Sequence, residues 1–467
     1  MEKEKRTEQL RCRSNSLSQI RTPMFVFGFV ILLAYQSIGY YRLSVMKCIE
    51  STNITREKSR IHVTAPAATS SFFSTTESPV FPVCSTEEKK IVIDNFPAKA
   101  ITRETRCPYQ TWFDDYLYNT FFPVEYDGKR TLVSIFLGCN KGDDAVLTLK
   151  KLSGNGGINV DAYRNKFHTN AVQGHTNRTV MGRNCGADKS EDHILLQPGF
   201  HPYVRRFHKS VDNVVVHCVE AMPITAHTIQ KTVDEFNGWN QHFVVTNAAV
   251  DSTDRTLLFP NFREKVGAEH LGIVDCEVGL RPWMDATCQE VKAYSLDTYM
   301  REKVIANNPQ LVAAVQSDEE HYNGMDWENR ESAKHDSSQS KPHLDYNPNF
   351  VVDFLSVDVE GLDWQVLGQG GADWTLRHTR YLEFEYHGTH PWDTQLLSEA
   401  IDVLKRKFGF MCFWAGKDKL IRITDCFQEY MEVHQWSNVA CASEKSFLSA
   451  QMEAKYMRLI SEWAATD

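Results

Sequence analysis

Asn349–Gly361 reads NFVVDFLSVDVEG. Its apolar, β-branched run has the composition of a strand buried on both faces of a parallel sheet. It ends abruptly in Asp358, Glu360 and Gly361, and the helix-like run Leu362–Leu367 follows at once. Acidic residues at the carboxyl end of such a strand lie where open α/β sheets bind ligands.

Upstream, Leu132–Leu137 is a second apolar strand. It runs into Gly138-Cys139-Asn140-Lys141-Gly142, and Asp143–Lys151 has helical spacing. Strand, Gly-x-Asn-x-Gly, helix is the layout of a nucleotide-type loop, in which glycine lets the backbone turn tightly against a ligand. The loop is not the GxxxxGK[ST] of a Walker phosphate site and lacks the third glycine of the dinucleotide fingerprint. Asn213–Glu220 (NVVVHCVE) is a further buried-type strand ending in Glu220, followed by a helical pattern over Thr225–Phe236. A carboxylate there can accept hydrogen bonds from ribose hydroxyls. The separation of 82 positions from Gly138 to Glu220 exceeds the usual gap of about 20. An insertion over 152–212 accounts for the excess. Its five histidines (His168, His175, His193, His201, His208) match no ligand spacing, so no metal site is read there.

Downstream, Phe243–Val250 predicts a third strand, Arg255–Phe259 a short β run, and Glu290–Tyr299 a strand leading into a helix. A polar, acidic stretch over 302–348 predicts a surface loop. Arg380–His387 alternates, with Leu382, Phe384 and Tyr386 opposite Glu383, Glu385 and His387. Asp393–Phe408 predicts an amphipathic helix, Gly409–Trp414 a strand, and Gln428–Asp467 a mostly helical extension. Aromatic-rich Cys107–Phe122 suits a packing layer. Strands alternating with helices predict an α/β fold with a mainly parallel sheet and helices on both faces.

The 467 residues, 42% hydrophobic and 24% charged, are ordinary globular composition. A net charge of -9 argues against nucleic acid as a partner. Met24–Tyr41 carries no charge and is near the minimum length of a membrane-spanning helix. Lys3, Lys5, Arg6, Arg11, Arg13 and Arg21 precede it and place the N-terminus in the cytoplasm. The alternative is a cleaved signal peptide. The expected plan is a tail (1–23), one transmembrane helix (24–41), a Ser/Thr/Pro-rich stalk (42–90), a main domain (91–427) and the extension (428–467). Sequons at Asn53 and Asn177 agree with a lumenal domain in the Golgi or endoplasmic reticulum. Twelve cysteines without regular spacing read as scattered disulfides or buried thiols.

Gly138, Asn140 and Gly142; Glu220 with Pro223; Asn247-Ala248-Ala249-Val250; Ser295-Leu296-Asp297; DFLSVDVEG; and Glu385 occur together in that order. The set resembles the FkbM-type S-adenosylmethionine-dependent methyltransferases, a class I Rossmann-like family, over roughly residues 130–415. The resemblance implies that Gly138, Asn140 and Gly142 cradle the methionine part of the cofactor. It implies Glu220 at the ribose and Asn247 and Ala248 near the adenine. Asp358 and Glu360 would lie beside the methyl group and acceptor, with a carboxylate or His387 taking a hydroxyl proton. It suggests O-methylation, and the topology suggests a glycan, lipid or secreted-protein acceptor. Two positions depart from the family pattern: Phe136 stands where an acid is usual, and Ser356 where a lysine is often found. Two other readings remain. One is a lumenal glycosyltransferase with Asp358-Val359-Glu360 as a DxD-like metal site. The other is a non-catalytic, membrane-tethered binding domain.

Overall fold

The structure is a computed structural model. It describes residues 83–105, 111–117, 120–122, 126, 128–155, 157–173, 178–180, 213–262, 265–267, 276, 286–312, 350–388, 390–416 and 419–466. Met24–Tyr41, both sequon asparagines and most of the polar 302–348 stretch lie outside the described residues. Among the described residues no helix is long and apolar enough to cross a membrane.

The core is an eight-stranded sheet of β1 (Leu132–Leu137), β2 (Val214–Glu220), β3 (Phe243–Asn247), β4 (Phe354–Val357), β5 (Tyr381–Tyr386), β6 (Phe410–Ala415), β7 (Leu420–Arg422) and β8 (Ser437–Ser443). Their spatial order is β7-β6-β8-β5-β4-β1-β2-β3. The pairs β1–β2, β1–β4, β2–β3 and β4–β5 are parallel, while β8 runs antiparallel to both β5 and β6. Order 3-2-1-4-5 is that of doubly wound α/β sheets, which reverse direction between β1 and β4. The opening stretch thus supplies the strand beside the reversal. Every residue of β1, β5 and β6 is buried, as expected of strands covered on both faces.

Helices cover the sheet for local reasons. Over Leu397–Phe408 the buried residues Leu397, Ala400, Ile401, Leu404 and Phe408 make one apolar stripe, and Gly409 ends the helix at φ 71°. The expected aromatic layer is present: Phe113 stacks on Tyr381 and meets Phe354 edge-on. At the amino end of β4, buried Asp353 binds Arg130 and Arg380 and accepts the Val133 N–H. This cluster ties β1, β4 and β5 together opposite the carboxyl ends.

Four expectations need correction. The strand expected over Phe243–Val250 divides after Asn247; Ala249–Asp251 leaves the main sheet and pairs with Ala286–Ser295 in a separate three-stranded sheet. The expected insertion begins with a core helix, Val160–Val172, which buries Tyr163 and Phe167. The end of the expected stalk is folded: the helix Thr86–Asn95 has a Ser85/Glu88 capping box and a neighbouring Cys84–Cys426 disulfide. The expected helical extension carries β8 before its helix, Phe447–Ala464. SNVACAS has little apolar bulk, so its strand state comes from pairing with β5 and β6 and from the Cys412–Cys441 disulfide.

Candidate active site

The loop after β1 is built on left-handed backbone. Gly138, Asn140 and Gly142 have φ of 74°, 51° and 80°. Glycine takes such values freely and asparagine more readily than other residues, which explains the Gly-x-Asn-x-Gly spacing. The Gly138 and Cys139 N–H groups both donate to the Val219 carbonyl, 3.0 Å away. On the other side, a Cβ at Gly138 would stand 1.6 Å from the Asp358 carbonyl oxygen. The ends of β1, β2 and β4 therefore meet at a point where no side chain fits.

Glu220 closes the loop. Its Oε2 accepts the Asn140 N–H at 2.8 Å and its Oε1 the Met222 N–H at 2.8 Å. Burial pushes the carboxyl up to about 7, against the pull of those two N–H groups and Lys141. Each oxygen keeps a second lone pair. Asn247 is spoken for differently. Its side-chain amide donates to the Glu220 and Ala221 carbonyls at 2.9 and 3.1 Å, and the buried Ala248 donates its N–H to the Glu220 carbonyl. Both residues hold the turn that carries Glu220.

A disulfide, Cys139–Cys218, fastens the glycine loop to the middle of β2. Irregular cysteine spacing gave no signal for this pairing. Its partners become neighbours only when β1 and β2 align in parallel register, with Phe136 opposite Cys218.

On the β4 and β5 side, acidic groups converge. Asp358 and Glu360 lie in the turn after β4, with Glu360 in the left-handed region at φ 56°. Asp363 is fully buried and accepts the Gly361 N–H at 3.1 Å. Burial pushes it up to about 6, with the nearby His387 opposing. Glu385 and His387 leave the end of β5 with Oε2 and Nε2 2.7 Å apart. The Trp436 Nε1–H donates to Glu385 Oε1 at 2.6 Å. Burial raises Glu385 well above the usual carboxylate range, and the charges of Asp363 and Glu360 add to this while the indole opposes it. Burial lowers His387, and Asp363 opposes that shift. The fold thus brings the expected Asp358, Glu360 and His387 to one end of the sheet. Asp363 and Trp436 were not singled out in the sequence. Asp363 lies five residues beyond Asp358 in an obvious helical run, whereas Trp436 is brought in only by β8.

The two departures from the family pattern are neighbours: Phe136 pairs in register with Ser356. Phe136 stacks on Phe354 within the aromatic layer, so apolar packing occupies the position.

The carboxyl-end cradle fits a small nucleoside cofactor. Its loop excludes side chains at Gly138, and Glu220 provides buried acceptors beside the half-buried loop backbone of Gly138–Asn140. Among the described residues, the His/Cys/acid group close enough to hold a metal ion is Cys84, Glu88 and Cys426, whose two sulfurs are joined in a disulfide.

A family model described as the methyltransferase FkbM domain matches residues 137–412. No curated protein and no solved structure matches the chain.

Proposed function

The chain belongs to the methyltransferase FkbM domain family, and from that premise we propose that it is an S-adenosylmethionine-dependent O-methyltransferase acting on a hydroxyl of a secretory-pathway acceptor. The observation that carries the cofactor reading is Glu220. A buried carboxylate at the end of β2, bonded to the backbone of a glycine loop at the sheet's reversal, is a ribose-binding arrangement in a Rossmann-like sheet. Gly138, Asn140 and Gly142 would hold the methionine part, Glu220 the ribose, and the turn at Ala248 the base. When bound, the cofactor supplies an electrophilic methyl group on a sulfonium.

The chain's own contribution is positioning and proton removal. Alignment of an acceptor oxygen with the methyl group accounts for most of such a rate enhancement. Asp358, Glu360 and His387, at the ends of β4 and β5, are the groups available to take the hydroxyl proton. Phe136 leaves the cofactor's amino group without the carboxylate that the family usually supplies there, so that contact falls to loop backbone.

The Met24–Tyr41 segment supports a single-pass membrane anchor, and the four disulfides among the described residues support an oxidising compartment, such as the lumen of the Golgi or endoplasmic reticulum. A glycan, lipid or secreted protein is then the acceptor class. Methyl-tritiated cofactor, added with the protein to cell-surface sugars, lipids and proteins, tests this. Label in a hydroxyl methyl ether is expected, and label in none of the three classes refutes the acceptor assignment.

A further inference from the structure

The matched family domain ends at residue 412, yet a side chain beyond it reaches the site. Trp436 directly precedes β8, whose Ser437 lies opposite Tyr386 at the end of β5. That pairing sets the indole against Glu385. Indole, carboxylate and imidazole then form a chain, with Nε1–H to Oε1 at 2.6 Å and Nε2 to Oε2 at 2.7 Å. His387 keeps 15% of its side chain exposed, and among the described residues its Nδ1 has no hydrogen-bond partner. A carboxylate that accepts from Nε2–H fixes that tautomer and leaves a lone pair on Nδ1.

We propose that Trp436 and Glu385 are positioning residues that hold His387 as its Nε2–H tautomer, making Nδ1 the base for the acceptor hydroxyl. The inference rests on the O-methylation reading above. In the step, the acceptor O–H bond breaks and its electron pair stays on oxygen. The proton forms an N–H bond with the Nδ1 lone pair, giving an imidazolium. Asp363, from the helix after β4, and Glu385, from β5, face this ring and favour its positive charge, while Asp358 and Glu360 act on Glu385. Desolvation keeps the ring neutral beforehand, as a base requires. The indole prevents Glu385 from turning away and aligns its second oxygen with Nε2. Burial, Asp363 and Glu360 favour a Glu385 that keeps its own proton, which would donate to Nε2 and impose the opposite tautomer. The indole Nε1–H and the imidazole Nε2–H, each directed at one carboxylate oxygen, are the groups that oppose this.

Long-range proton–nitrogen NMR on full-length protein labelled with nitrogen-15 histidine reads the tautomer directly. The His387 signals are assigned by their loss in His387→Gln. At pH 8 the parent should show a protonated Nε2 and an unprotonated Nδ1. Trp436→Phe and Glu385→Gln should shift the population severalfold toward Nδ1–H. A parent with protonated Nδ1 overturns the proposal without needing any variant. An unchanged tautomer in both folded variants overturns the positioning role. Calorimetry with S-adenosylhomocysteine on the same samples separates the two levels. Failure of the parent to bind refutes the methyltransferase reading, whereas binding by a parent with protonated Nδ1 sinks only this proposal.

Discussion

Glu220→Gln removes the charge from the carboxylate that links β2 to the glycine loop, and its effect on stability has a calculable pH dependence. The folded protein holds the Glu220 proton up to about 7, against an ordinary value of 4.5. The cause is burial at 8% exposure, which two backbone N–H groups offset only in part. A carboxyl raised in the folded state stabilises the fold fully below its unfolded value. That contribution is lost as pH rises through the folded value. A shift of this size corresponds to about 3 kcal/mol. Glutamine resembles the protonated acid in shape and charge and does not titrate. Guanidinium unfolding of oxidised parent and variant between pH 4.5 and 8 should therefore show the parent losing about 3 kcal/mol relative to the variant across that window. Effects of all other titrating groups cancel in the difference. In the same samples, loss of charge-assisted hydrogen bonds should weaken S-adenosylhomocysteine binding roughly ten- to hundredfold. A stability difference that stays flat with pH would refute the buried, shifted carboxylate.

Other perturbations probe the remaining supports. Gly138→Ala places a Cβ against the Asp358 carbonyl and forces alanine into left-handed backbone, which alone costs about 1–2 kcal/mol; the melting temperature should fall and cofactor binding should be lost. Cys139→Ser opens a disulfide spanning 79 residues and should cost about 4 kcal/mol of stability by denaturant unfolding. Asp353→Asn strips Arg380 of its buried carboxylate and should cost about 3–5 kcal/mol. Because Asp353 sits at the far end of β4, the affinity for S-adenosylhomocysteine in the folded fraction should hold.

Much of the sheet was legible because buried parallel strands announce themselves as apolar runs. LVSIFL, VVVHCVE and VVDFLSV each have the composition of a strand covered on both faces. The glycine loop was legible for a related reason: three left-handed residues require Gly, Asn and Gly at alternate positions. β8 escaped because SNVACAS carries no strand signature of its own, and Trp436 and its contact with Glu385 escaped with it. The core helix Val160–Val172 was hidden by a polar composition whose few apolar anchors, Tyr163 and Phe167 among them, matter only once packed. Cys139–Cys218 depends on the register of two strands, which spacing along the chain does not encode. Asn247 was assigned to the adenine by resemblance, while its amide is engaged with the Glu220 and Ala221 carbonyls, a contact visible only in three dimensions.

The central claim is that the ends of β1 and β2 bind a nucleoside cofactor through the Gly138–Gly142 loop and Glu220. Isothermal titration of the full-length protein tests it most directly, with S-adenosylhomocysteine in one cell and nucleotide sugars plus Mn²⁺ in another. One-to-one binding of S-adenosylhomocysteine, weakened in Glu220→Gln, is the predicted result. Binding of a nucleotide sugar with no response to S-adenosylhomocysteine would contradict the claim and point to the Asp358-Val359-Glu360 turn as a metal site instead.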